Sequence, residues 1–361
     1  MPLRQPHNCP DTPEPPLYPG DPAPWFVATS DLGGDFPFSG LAGRWTILAF
    51  VDAADHALIQ GFKAGFAPMA AAADGGAALV FVVSTPPIGV EPGPHARFLF
   101  DPDGSIATRY GVAAKPTTFI LEPDLRIATI VRDLAHPAHA HQALARFSRR
   151  PALGEPRAAA RQAPVLLVER VFEPEFRAAL IAGHQGDGGR ETGFMVERDG
   201  RTIEVVDHQH KRRTDWLIED LALQAQCRMR VQRRLVPELQ RAFQFHATRI
   251  ERYLVARYDS ETGGHFAPHR DNTTAGTAHR RFAISLNLND DFEGGDLVFP
   301  EFGRARYRPP AGGACVFSCS VLHQATPVTL GQRFVFVPFL YDDPAALIRD
   351  ANRHVIGPMD A

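Results

Sequence analysis

Short apolar runs separated by turn residues dominate the second half of the chain. From about residue 249 onward, RIERYLVARY, RFAISLNLN, GDLVFP, GACVFS and RFVFVPFL alternate with Gly, Pro and Asp clusters. Runs of that length and punctuation predict short strands wound as a jelly roll. Ahead of them, VFEPEFRAALIAGHQ and DWLIEDLALQAQCRMRVQRRLVPELQRAF carry apolar positions at helical spacing, which predicts helices bracing an outer sheet. The Arg-rich side of the second segment reads as a solvated helix face.

The first 150 residues alternate differently. WTILAFVD, AALVFVVS, TTFILEP and RIATIVR read as strands, HALIQGFKAGFAPMAAAA and HPAHAHQALARFS as helices, and the stretch after AALVFVVS as a loop. Such alternation predicts an open α/β sheet. The Pro-rich start, MPLRQPHNCPDTPEPPLYPG, has no apolar run of secretory length and reads as a flexible lead-in over 1–17. RRPALGEPRAAARQAP, rich in Pro, Ala and Arg, reads as a linker over 149–164. The expected organisation is a two-domain α+β chain: an α/β domain over 18–148, the linker, a second domain over 165–345 and a tail over 346–361.

Composition narrows this picture only slightly. With 361 residues, 44% hydrophobic and 22% charged, the chain can bury two cores. A net charge of -3 gives no reason to expect nucleic acid or a membrane surface as the main partner. Four cysteines, Cys9, Cys227, Cys315 and Cys319, are too few for a disulfide framework in a chain this long, and a reducing cytoplasm is the expected compartment. Cys315 and Cys319 read as apolar packing on one strand face.

The candidate chemistry lies in HFAPHRDN. Side chains two apart in an extended strand share a face, so His269 and Asp271 can grip one metal ion while Arg270 points away. His323, where CVFSCSV gives way to a Thr-Pro stop, is placed to be the third ligand. Two imidazoles and a carboxylate form the facial triad of non-haem Fe(II) oxygenases. Arg333 opens the apolar strand RFVFVPFLY, where an interior guanidinium needs a carboxylate partner. Its planar fork suits the distal carboxylate of 2-oxoglutarate, and Tyr258 could donate a hydrogen bond to the same molecule. In a chain with fifteen histidines the H-x-D spacing alone says little, and the conjunction of the four residues carries the reading. His265 and His279 read as loop residues, and His208-x-His210, followed by the basic KRR, reads as a solvated rim.

On these residues, the segment from about Arg249 to Asp343 resembles the catalytic domain of prolyl-4-hydroxylase-like Fe(II)- and 2-oxoglutarate-dependent dioxygenases. The resemblance rests on YLVARYDSETGGHFAPHRDN, ISLNLNDDFEGGDLVFP and PPAGGACVFSCSVLHQATPVTLGQRFVF. It implies a cupin-like double-stranded β-helix, with His269, Asp271 and His323 as iron ligands. It also implies Arg333 as the 2-oxoglutarate anchor, Tyr258 as a co-substrate contact and Gly294–Leu297 as a hairpin turn. Collagen-type members carry Lys where Arg333 stands, and some relatives are aromatic where this chain has Leu286 and Asn287. The implied reaction hydroxylates an unactivated C–H bond of a prolyl or other amino-acid residue, peptidyl, free or carrier-bound. Dioxygen is consumed, succinate and carbon dioxide are released, and ascorbate can assist.

Residues 18–148 resemble the thioredoxin and peroxiredoxin fold through GDPAPWF, FDPDGSIATRYGV and Lys115-Pro116-Thr117-Thr118-Phe119. Thiol chemistry needs a thiolate at the start of the helix after the first core strand. That region reads VDAADHALIQGF, and no cysteine occurs between residues 10 and 226. The expectation is a catalytically silent domain that docks a partner, mediates a homodimer or shapes access to the oxygenase site. Two other readings stay open at this point: a metal- or 2-oxoglutarate-binding sensor without turnover, and a thiol peroxidase or reductase.

Overall fold

The computed structural model describes residues 16–73, 76–113, 116–132, 137–154, 158 and 161–356. Cys9, Lys115 and all of the expected lead-in except Pro16 and Leu17 lie outside the described residues, as do parts of the expected linker and residues 357–361 of the expected tail. Described residues up to 154 belong to one compact unit and those from Ala158 onward to another.

In the first unit, β-branched and aromatic runs form a seven-stranded sheet in the spatial order 35–37, 27–30, 96–100, 77–83, 45–50, 117–121 and 127–131. Trp45–Phe50, Ala77–Val83 and Ala96–Phe100 run parallel, and Thr117–Leu121 and Ile127–Val131 complete one side antiparallel. Alternation along the strands sorts their side chains. Ile47, Ala49, Leu79 and Phe81 pack with residues of helices His56–Ala71 and Ala138–Phe147. Leu48, Phe50, Val80 and Val82 pack on the opposite face with Phe38, Ile106 and Tyr110. Burial on both faces is the reason these strands are unbroken apolar runs. The loop expected after AALVFVVS is a correction: it holds the central strand Ala96–Phe100 and the short helix Ser105–Arg109.

The second unit is antiparallel throughout its main sheets. The larger sheet runs 249–251, 339–341, 282–287, 332–336, 254–259, 214–217 and 190–191, with Ala314–Ser318 and Val165–Val168 added beside 282–287. The smaller runs 211–212, 265–269, 323–325, 297–298 and 306–307. On one face of the larger sheet, Val255, Ile284, Leu286, Phe334 and Phe336 pack against Phe176 and Leu180 of helix Pro174–Asp187, Cys227 and Val231 of helix Leu221–Arg234, and Leu239 of helix Val236–Phe243. The bracing helices are therefore present, but DWL, expected to be helical, is in strand Thr214–Leu217.

Because the period is two, the same strands turn Tyr258, Ala283, Ser285, Asn287, Arg333 and Val335 to the opposite face, toward the smaller sheet. A jelly roll with one apolar outer face and a mixed inner face results. At the Gly294–Leu297 turn, Gly294 has φ 72° and a Cβ there would lie 2.1 Å from the Pro327 carbonyl oxygen, so only glycine fits. The segment from 346, expected to be a tail, is instead mostly helix: Asp343–Ala351 starts on the Asp342 cap, and Ile356 bridges to Thr202. Among the described residues, no helix is long and apolar enough to cross a membrane.

Candidate active site

Two neighbouring strands of the smaller sheet bring the triad together. Strand His265–His269 pairs with His323–Ala325 so that Phe266 faces Ala325 and His269 faces His323, a register shift that adds one residue on the first strand. Such a bulge re-aims the side chains beside it, and here it seats the His269 and His323 rings 4.3 Å apart, centroid to centroid. Asp271 lies just past the strand end, in a turn where its N–H donates to the Cys319 carbonyl at 3.0 Å. His323 begins its strand rather than ending the preceding one. One ligand atom from each of the three residues lies within 4.8 Å of the others.

The surroundings prepare these groups for a cation. His269 Nδ1 lies 2.8 Å from the Ala267 carbonyl and His323 Nδ1 3.0 Å from that of Val321. A carbonyl only accepts, so Nδ1 carries the proton in each ring and Nε2 keeps its lone pair toward Asp271, at 3.6 and 3.5 Å. Burial pushes the His323 imidazole down to about 4 against the pull of Asp271, so it is neutral at pH 7 as a metal ligand must be. Burial pushes the Asp271 carboxyl upward, but His323 and His269 in their protonated forms at acid pH, with Arg280 behind them, outweigh that and hold it below the usual carboxylate range. Phe266 stacks on His269 at 3.5 Å, and Phe317 packs 4.5 Å from His323.

The triad, Tyr258 and Arg333 all line a small cavity of about 70 Å³. Tyr258 and Arg333 are register partners on adjacent strands. Arg333 is buried, its Nε donating to Asn287 Oδ1 at 3.0 Å and Nη2 to Ser285 Oγ at 2.9 Å. Both acceptors are neutral. Asp296, whose charge it feels, is bound to Arg308 at 2.6 Å, and among the described residues no carboxylate forms an ion pair with Arg333. A buried guanidinium hydrogen-bonded only to neutral groups is the arrangement that an incoming carboxylate completes. The aromatic positions replaced by Leu286 and Asn287 have separate fates: Leu286 packs under the helices and Asn287 orients Arg333.

A larger cavity of about 610 Å³ adjoins the small one, sharing Arg213, Arg252, Phe266, His269, Asp271 and Phe339 with it. Here three expectations are corrected. KRR does not form a solvated rim: Lys211 and Arg213 are buried, and both pair with the buried Asp215, at 3.6 and 2.8 Å. Arg213 also donates to the Tyr258 hydroxyl at 3.1 Å. His210 lines the larger cavity, its ring 4.1 Å from Phe194 and 6.3 Å from His269, whereas His208 is exposed and pairs with Glu191. Neither His265 nor His279 is a free loop residue. His265 is in the ligand strand and bonded to backbone carbonyls, while buried His279 pairs with Glu251 at 2.6 Å. Burial and the Arg213 charge push the Lys211 amine down to about 7.

Lys211, Arg213 and Asp215 were missed because a basic tripeptide looks solvated by composition. Their i, i+2 spacing was the available signal, since it puts all three on one strand face. Arg252 had no such signal. Cys315 and Cys319 do pack in an apolar cluster, with Cys319 in the turn after the strand, and burial pushes the Cys315 thiol up to about 12.

Residues 253–341 match the model of the 2OG-Fe(II) oxygenase superfamily. A PKHD-type hydroxylase from Maricaulis maris is 36% identical over 92 residues, which is 24% of this chain and 41% of the relative. The chain thus spans about two-fifths of that relative's length. Among solved structures, a prolyl hydroxylase from Trichoplax adhaerens, in complex with a hypoxia inducible factor peptide, overlaps 52% of this chain and 86% of its own at 14% identity and TM-score 0.40. A thiol:disulfide interchange protein from Chlorobium tepidum overlaps 36% of this chain and 98% of its own at 22% identity and TM-score 0.29. The chain joins an N-terminal α/β unit to a jelly roll whose residues 253–341 are similar to the 2OG-Fe(II) oxygenase superfamily.

Proposed function

We propose that the second unit is an Fe(II)- and 2-oxoglutarate-dependent hydroxylase acting on an unactivated C–H bond of an amino-acid residue or amino-acid derivative. The observation that carries this reading is the small cavity with two ends. At one, His269, Asp271 and His323 converge, and at the other buried Arg333 has no carboxylate partner among the described residues. Iron held by the triad, together with 2-oxoglutarate, would supply the oxidising chemistry that inserts one atom of dioxygen into a C–H bond and releases succinate and carbon dioxide.

This chain's residues do the rest. Nδ1–H donation to backbone carbonyls fixes both imidazoles, and Phe266 and Phe317 pack on them and hold the rings in place. Arg333, oriented by Asn287 and Ser285, binds the distal carboxylate, and Tyr258, held by Arg213, borders the same space. A prolyl side chain is the leading substrate class, on the strength of the relatives' names. The N-terminal unit takes no part in thiol redox chemistry in this reading, since its first long helix begins on an Asp55 cap and its strands carry no cysteine.

The test is succinate formation from 2-oxoglutarate with Fe(II), ascorbate and air, with and without peptide pools, beside an Asp271→Ala control. The same samples are followed anaerobically for the visible charge-transfer band of the iron–2-oxoglutarate complex. Band and succinate that both require Asp271 support the hydroxylase; a band without substrate-dependent succinate favours a 2-oxoglutarate-binding sensor, and no band overturns both.

A further inference from the structure

Arg252 is a half-buried charge that the oxygenase reading does not use. It lies between strands Arg249–Glu251 and Leu254–Asp259 with a backbone φ of 56°, a left-handed conformation costly for a long side chain. Its Nε is buried without a hydrogen-bond partner, and among the described residues no carboxylate pairs with it. The side chain lines both cavities at their junction, with its guanidinium carbon 4.8 Å from the centroid of Phe339. Arg280 approaches the same ring at 4.1 Å, so two guanidinium groups share one aromatic.

The neighbouring acids are already committed. Glu251 binds Arg280 at 2.9 Å and His279 at 2.6 Å. Asp215 is shared by Arg213 and Lys211 and also accepts from the Thr192 hydroxyl. Arg270 is held by Glu301, and Glu204 accepts from the Gly193 N–H. Asp271 belongs to the metal site. Arg213 and Arg280 therefore have Asp215 and Glu251 as partners and Lys211 shares Asp215, whereas Arg252 has no carboxylate partner among the described residues. The two charges of 2-oxoglutarate would not partner Arg252 either, because Arg333 and the metal with its Asp271 ligand would take them up.

We propose that the larger cavity takes a substrate bearing an anionic group, a carboxylate or a phosphate, which Arg252 binds with the support of Lys211 beside the metal site. This rests on the hydroxylase reading and adds the substrate's charge to it. The group sits in the region shared by the two cavities, so the carbon to be hydroxylated lies within a few bonds of the anion. That geometry favours a compact acid, or a chain terminus or acidic side chain, over an uncharged peptide segment.

The full chain, loaded anaerobically with Fe(II) and saturating 2-oxoglutarate, is titrated by calorimetry with acetate, inorganic phosphate and uncharged acetamide while the charge-transfer band is followed. The expected result is saturable binding of acetate or phosphate with the band retained, no acetamide binding, and about tenfold or greater weakening in Arg252→Gln with its band unchanged. The tighter anion names the group. Absence of saturable anion binding overturns the proposal, as do equal binding of acetamide, anion binding that bleaches the band, or an unaltered Arg252→Gln. If that variant does not fold, Lys211→Met is read in the same way. If wild type gives no band, the hydroxylase reading fails separately, and the same titration of iron-free protein decides the anion site.

Discussion

The two units are built on the same alternation and put it to different ends. In the N-terminal sheet, Ile47, Ala49 and Phe81 face one set of partners and Leu48, Phe50 and Val80 the other, and both sets are apolar. In the jelly roll, Val255, Ile284 and Phe334 face the helices, while Tyr258, Ser285 and Arg333 from the same strands face a cavity. A sheet whose two faces both serve packing leaves only its strand ends and loops for chemistry. A sheet that secures stability on one face can tolerate unpaired charge on the other, where a ligand will complete it.

The largest effect that tests this contrast is at the triad. Asp271→Ala should lower turnover by more than the roughly 100-fold that loss of an outer-shell partner costs, because it removes a ligand outright. The unit should still fold, which circular dichroism and the melting curve would check; collapse of the fold would mean that the inner face also supports stability. Arg333→Met comes next. Losing a buried partner for a charged group costs about 2–5 kcal/mol in binding, so the 2-oxoglutarate affinity should fall from about thirtyfold to several thousandfold. The ligand-free protein should melt no lower than wild type, since an uncompensated buried cation has been removed.

Phe81→Ala applies the opposite perturbation. A buried Phe truncated in a packed core costs about 3–5 kcal/mol, so the N-terminal unit should unfold earlier in denaturant. The iron–2-oxoglutarate band should persist, and its loss would show that the two units are not energetically separable. The smallest effect is on pH dependence. Lys211 has a folded pKa near 7 against 10.5 in the unfolded chain, so the unfolded chain binds more protons between those values and stability rises with pH through that window. The cost is fully present below about 7. Lys211→Met should flatten the stability profile between pH 7 and 10.5, and an unchanged slope would show that the lysine is not buried as described.

Much of this was legible before any coordinates. His269, Asp271, His323, Arg333 and Tyr258 stand out because each is a chemical type out of place in its local pattern, such as a guanidinium opening an apolar strand. The jelly roll, the α/β sheet and the missing thiol could be read for the same reason. What could not be read was pairing. The strand Ala96–Phe100 was obscured by the Pro- and Gly-rich residues around it, and its central place follows from parallel pairing with Ala77–Val83. His210, Lys211 and Arg213 looked solvated because composition does not reveal that Lys211 and Arg212 pair with the ligand strand, at Phe266 and His265.

By itself, then, the sequence determined side-chain identity, strand period and the lack of cysteine between residues 10 and 226, all of which are read from the residues themselves and their near neighbours. Tertiary structure alone decided which charges share a cavity. Arg252 and Arg280 meet over Phe339, a residue some sixty to ninety positions further along the chain. Only the closure of the sheets brings them together, and with them the unpartnered Arg252 beside the metal site.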